Sequence, residues 1–252
     1  MQFFRRAGLF SASTLIATLF LIQTANAAPA PRGLSRNAIS GVSSFGLAFS
    51  VVTAGQNDMN SVIDANNTAN GANTKNLGSA YEIAGTWAYR FGGTDYAFVL
   101  RPGYFMQSQT GSGTGGDYDY KLDGFTVFPM MRLYPLENAF IHFFLQGGVG
   151  YGLLKGEIKA GPNDLKFDGS AFGAIVGMGV DFCFTESHCL TVEGNARYLP
   201  IERNTTSGGN CSGTAIDGIT QCGGSQEVEH NYTDLRTTMS GIQGLIGYTM
   251  NF

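Results

Sequence analysis

From Ser43 to Phe252 the chain keeps returning to one pattern, an alternation with a period of two. Successive side chains of a strand point to opposite faces, so such runs read as β-strands with two chemically different faces. Eight segments show it. "SSFGLAFSV" sets Phe45, Leu47, Phe49 and Val51 against small residues. "AYEIAGTWAYRF" sets Tyr81, Ile83, Trp87, Tyr89 and Phe91 against Glu82 and Arg90. "YAFVLRPGYFM" sets Tyr96, Phe98, Leu100, Tyr104 and Met106 against Arg101 and Gly103. "YKLDGFTVFPMMRLY" is less clean, with Phe125, Val127, Met131 and Leu133 on the apolar side. "IHFFLQGGVGYGL", "FGAIVGMGVDFCF" and "LTVEGNARY" continue the pattern, with Asp181, Glu193 and Arg197 on the polar side. The eighth segment closes on "GLIGYTMNF", with Ile246, Tyr248, Met250 and Phe252 on one face.

The connections alternate too. "GGTD", "PLEN" and "TESH" are tight, whereas residues 54–77, 108–117, 155–168 and 200–231 are long and rich in Gly, Asn, Ser, Thr and Asp. These four are expected to be mobile polar loops, all at one end of the sheet.

The bulky face is too full of aromatics for the inside of an eight-stranded barrel, whose interior is barely wide enough for side chains. Turned outward into lipid, the same residues make an apolar band with aromatic girdles, and a closed ring leaves no backbone group unpaired in hydrocarbon. Composition agrees: only 13% of residues are charged, against about a quarter in an average soluble domain. No stretch after the first thirty residues has the roughly 18 consecutive apolar positions of a spanning helix. A formal charge of -4 without any Lys/Arg run argues against a nucleic-acid partner.

Residues 1–27 place Arg5 and Arg6 before an apolar stretch and end on Ala25-Asn26-Ala27, the order of a cleavable secretory signal; the alternative is an uncleaved anchor. Residues 28–39 form a Pro-bearing lead-in, and 40–252 the barrel domain. The four cysteines fall into close pairs, Cys183/Cys189 and Cys211/Cys222, without metal-site spacing to histidines. Two local disulfides of an oxidising compartment are expected.

A terminal aromatic preceded at steps of two by apolar residues resembles the C-terminal signature of Gram-negative outer-membrane barrels. "FTVFPMMRLYPL", "FLQGGVGYGL" and "LTVEGNARYLP" are similar to strand phrases of the small OmpA/OmpX-type family. The resemblance implies an all-β, eight-stranded antiparallel transmembrane up-and-down barrel with short periplasmic turns and long extracellular loops. It also implies an outer-membrane address, with outer-membrane lipid, the barrel assembly machinery and periplasmic chaperones as partners. Ile246, Tyr248, Met250 and Phe252 would be the assembly signal.

For function, the expected role is structural or adhesin-like surface interaction with an unidentified extracellular ligand. A narrow porin-like conduit is the alternative, and a lipid-modifying enzyme comes third. Glu82, Arg90, Arg101, Asp181, Glu193 and Arg197 face inward; they line an ion path or form a paired plug, and a narrow lumen favours the plug. Of the histidines, His142 lies near the periplasmic end and His188 in a turn. His230, near Ser225, Glu227 and Glu229, is the outer-rim candidate for catalysis, and a plain loop histidine is the stronger reading. "GSGTGG" at 111–116 lacks the strand–helix context of a dinucleotide loop. The triplets at Asn66, Asn204 and Asn231 read as chance matches to a glycosylation pattern. No catalytic, cofactor or metal site is expected.

Overall fold

The computed structural model describes residues 41–211, 215–224 and 226–252. The expected signal and the whole lead-in lie outside them, as does Ser225. In chain order the elements are β1 (Val42–Val52), α1 (Asn57–Asn70), β2 (Ala80–Arg90), β3 (Tyr96–Gly113), β4 (Gly116–Glu137), β5 (Ile141–Ala160), β6 (Asn163–Thr185) and β7 (His188–Tyr198). Six short strands follow: β8 (Pro200–Ile201), β9 (Asn204–Gly209), β10 (Ile219–Gln221), β11 (Glu229–His230), β12 (Thr233–Asp234) and β13 (Thr237–Thr238). The last is β14 (Gly241–Asn251).

Strands β1 to β7 and β14 form an antiparallel ring of eight, each beside its sequence neighbour. β1 and β14 close it, from Ser44 opposite Asn251 to Val52 opposite Gln243. The outward parity is the one the alternation marks: Leu47, Phe49, Ile83, Tyr104, Phe125, Val149, Val176 and Ile246 are all exposed on the ring's outer surface. At the short-turn end, β6 and β7 turn over Glu186 and Ser187.

Two of the four expected loops are strand. β3 and β4 pair without a break out to Gly113 opposite Gly116, and β5 and β6 out to Ala160 opposite Asn163. These strands run for 18 to 23 residues, well beyond the 9–11 that cross a membrane. The chemistry of the two faces inverts where they leave the lipid zone. On β4 the outward residues are Asp119, Lys121 and Asp123, then Phe125, Val127 and Met131. Inward, Tyr118, Tyr120 and Leu122 are buried, and Arg132 appears deeper in the barrel. The parity is continuous but the solvent changes from water to hydrocarbon, which is why this segment alternates less cleanly in sequence.

The other two expected loops are folded as well. Met59, Val62, Ile63 and Asn66 follow helical spacing and all four are buried. Gly71, at φ 58, ends α1 in the left-handed conformation that suits glycine. Residues 199–239 contribute Leu199, Ile201, Ile219, Leu235 and Met239, none more than 2% exposed. With Phe105, Tyr120, Leu154, Ile158 and Phe167 from the extended hairpins, they form one apolar core that caps the long-loop end. Each fully buried aliphatic side chain there contributes about 1.5–3 kcal/mol. Gly156 has no side chain because the Phe167 ring lies on it; a Cβ there would come 2.0 Å from the ring.

Polar bonds stitch the cap. The Gln56 amide donates to Thr238 O at 2.6 Å and to Gln107 Oε1 at 2.9 Å, while its Oε1 accepts from Thr238 N. Asp58 accepts from Arg236 N at 2.9 Å. The cap is thus a water-facing folded unit instead of four mobile loops.

Candidate functional site

Below the cap the lumen is polar. Alternation brings Glu82, Arg101, Asp181, Glu193 and Arg197 inward from four strands, and each is at most 6% exposed. Arg101 Nη2 donates to both Glu193 oxygens, at 2.8 and 2.7 Å. Arg132 Nη2 donates to the same carboxylate at 3.0 Å. Gln146 links them, accepting from Arg132 at 2.9 and 3.1 Å and donating to Glu193 and Asn195 at 2.9 Å. Asp181 lies 3.9 Å from Arg132 and accepts from the Thr191 hydroxyl at 2.6 Å. The Arg132 guanidinium rests over the Phe144 ring, 3.7 Å from its centroid.

A second cluster lies closer to the cap. Arg197 pairs with Glu82, and its Nε donates to Met239 O at 2.6 Å. Gln243 donates to Glu82 and to Ser50, at 2.9 and 2.8 Å. Three carboxylates therefore meet three guanidiniums in a narrow space, and pairing with additional hydrogen bonds is what such burial requires.

Arg90 does not join them. It lies at the short-turn rim, half-buried, in a bidentate pair with Glu137 at 2.6 and 2.7 Å, and its guanidinium covers the Tyr134 ring. The alternation already puts Gln146 and Asn195 on the polar, inward face without assigning them to the network, whereas Arg132 was missed. The parity rule contains Arg132 too, because it has the opposite parity to the outward-facing Met131 and Leu133.

Cys183–Cys189 and Cys211–Cys222 are disulfides. The first joins directly paired positions of β6 and β7. The second clamps the last long connection. Ile246, Tyr248 and Phe252 are exposed and Met250 half-exposed on the outer face. Phe252 packs edge-on against Phe45, with ring centroids 6.1 Å apart. Tyr248 stacks on His188, which is the first residue of β7, and their polar atoms meet at 2.7 Å.

Among the described residues no catalytic set converges on His230; Ser225 lies outside them. His230 is 7% exposed and its Nδ1 lies 2.6 Å from Gly218 O. Glu227 pairs with Arg203. His142 sits between Glu137 and the Cys183 sulfur at the opposite end of the barrel. Among the described residues no three His, Cys, Asp or Glu side chains converge as metal ligands.

No family model and no curated relative matches the chain. Among solved structures, the outer membrane protein OprG from Pseudomonas aeruginosa aligns over 86% of this chain and 98% of its own. The TM-score is 0.55 at 13% identity. Ail, the attachment invasion locus protein of Yersinia pestis in complex with the heparin analogue sucrose octasulfate, aligns over 85% and 100%, at TM-score 0.42 and 10% identity. Neisserial surface protein A aligns over 84% and 95%, at 0.39 and 12%. The fold likeness rests on OprG. With a closed antiparallel ring, an apolar outer belt and a polar lumen, the chain has the fold of the small outer-membrane proteins: an eight-stranded, up-and-down transmembrane β-barrel.

Proposed function

We propose that the protein is exported, loses its signal segment and resides in a Gram-negative outer membrane. There it serves as a non-enzymatic structural and surface-interaction protein, and the folded cap is its contact surface. In this reading Ile246, Tyr248, Met250 and Phe252 deliver the chain to the barrel assembly machinery, with periplasmic chaperones holding it on the way. The partner outside the cell is an extracellular ligand that meets the cap.

The observation that carries the reading is the filled lumen. Beside Arg132 and Glu193 the gap lined by Ser44, Thr86, Thr191 and Thr249 amounts to about 10 Å³, roughly what one water needs. Above it, the Arg197–Glu82 pair and the apolar cap core follow in series. A plug of compensated charge leaves the solute-contacting chemistry on the outside of the cap.

Planar-bilayer recording on the purified monomer tests this. The expected trace is flat. Stable, large single-channel steps would overturn the closed-lumen reading and put the narrow conduit in its place.

A further inference from the structure

Asn70-Gly71 is the single Asn-Gly dipeptide in the chain. The amide carbon of an asparagine side chain can be attacked by the backbone nitrogen of the next residue, and a side chain on that residue hinders the approach. Glycine has none and moves freely in φ and ψ. Asn70 is also the last residue of α1, where helical hydrogen bonding runs out. Gly71 is exposed, and a Cβ built on it would meet Thr114 Oγ1 alone, at 3.7 Å.

Neighbouring asparagines of α1 are held differently. The Asn60 amide donates to Leu77 O at 3.0 Å and its Oδ1 accepts from Leu77 N at 2.7 Å. Asn67 grips Thr74 in the same way, at 2.8 and 3.1 Å. Asn66 is 1% exposed and donates to Val62 O and Asp217 O. Asn70 is half-exposed, and among the described residues its side chain bonds through the nitrogen alone, to Asp217 Oδ2 at 2.8 Å.

Asp217 stands at a packed joint. Ile216 and Ile219 beside it are buried in the cap core. Gly218 lies so close to α1 that a Cβ there would come 3.1 Å from Val62 Cα and 3.2 Å from Ala65 Cβ. The Asn70–Asp217 bond is the solvent-facing tie between the end of α1 and residues 216–219.

We propose that Asn70 is a site of spontaneous deamidation, and that the product loosens α1 from residues 216–219. Gly71 N bonds to Asn70 Cγ, the bond from Cγ to Nδ2 breaks, and the amide nitrogen leaves as ammonia, with solvent carrying the Gly71 proton to it. Water then opens the cyclic imide at either carbonyl, leaving an aspartate or its β-linked isomer. Either product sets a carboxylate where the Asp217 carboxylate had a donor, so attraction across 2.8 Å becomes repulsion. The β-linked product also reroutes the backbone at the Asn70 carbonyl, which accepts from Thr114 N at 2.9 Å. The change runs one way, so the cap carries a mark of the time since it folded.

For the test, full-length protein in detergent is aged at mildly alkaline pH. Peptide mass spectrometry maps it, with electron-based fragmentation to separate the acid isomers. Position 70 should convert about tenfold faster than Asn60, Asn66 or Asn67, because the glycine nitrogen is unhindered. The variant N70Q keeps an amide donor but lengthens the ring that would have to close, so it should not convert. Surface protease reads the consequence. Fresh wild type and aged N70Q should resist, whereas aged wild type and fresh N70D should be cut within residues 199–239. N70D/D217N exchanges donor and acceptor and should resist again. It is assayed fresh, because D217N itself places an amide before Gly218.

Conversion at position 70 no faster than at the neighbouring asparagines would overturn the proposal at its chemistry. Equal resistance of fresh wild type and fresh N70D would overturn it at its consequence, and so would equal cutting of aged N70Q and aged wild type.

Discussion

Glu193 accepts hydrogen bonds from Arg101, Arg132 and Gln146 together. Removing its carboxylate strips Arg101 of its ion-pair partner and leaves Arg132 with Asp181 alone, 3.9 Å away. The variant Glu193→Ala is expected to lose about 3–5 kcal/mol, the cost of breaking a buried pair from one side. A lowered urea midpoint in detergent or lipid reads this out. Tyr120 presents the opposite case. Its hydroxyl is buried in the cap without a hydrogen-bond partner among the described residues, and burial holds its phenol well above the ordinary tyrosine range. The sign follows from linkage: a raised folded pKa costs nothing below about pH 10, the unfolded value. Above it the unfolded chain releases a proton that the folded chain keeps, so stability falls as pH rises toward the folded value. Tyr120→Phe should therefore be at least as stable as wild type near neutrality and gain on it above about pH 10. Paired thermal melts at the two pH values check both halves. Of these two residues, sequence reading placed Glu193 facing inward by parity. It missed Tyr120 as a core residue, because the same parity that puts polar groups inside the membrane puts apolar ones inside above it.

The ring strands were legible because lipid selects one face over the whole crossing, so Phe45, Leu47 and Phe49 announce themselves. Helix α1 was not. Only Met59, Val62 and Ile63 are large apolar residues on its buried face, and Asn, Asp, Thr, Ser and Ala fill the rest, largely the composition of a loop. What makes it a helix is a surface supplied by residues far along the chain: Asp217 O accepts from the Asn66 amide at 2.9 Å. The extended hairpins were hidden for another reason. Their outward face reads as charged loop until the register aligns Lys121 with Glu157 and Lys155 with Asp168. The cap's core continues into ring residues such as Val99, Phe128 and Met130, so a cavity placed in α1 tests whether the cap loosens without the ring. Ile63→Ala is expected to cost about 2–5 kcal/mol. Surface protease should then cut within residues 54–77 and 199–239 of the variant while sparing the same segments of wild type. Unchanged resistance would mean that the cap is held by the barrel and not by its own packing.

At the scale of the whole molecule, the closing pair of strands is also where the cap comes from. β1 leads directly into α1, and residues 199–239 lead directly into β14. The bonds from Gln56 to Thr238 and from Asp58 to Arg236 therefore bridge the first and last strands from above, in line with the ladder that joins Ser44 to Asn251 below. The cap works as a latch over the zipper. A chain whose first and last strands have not met cannot bring Met59 and Ile63 into one core with Leu235 and Met239, and a chain slipped by two residues along that seam would carry the latch out of line with its catch. Correct closure is thus proofread at a distance from the membrane, and the finished surface exists only on barrels that have closed in the right place.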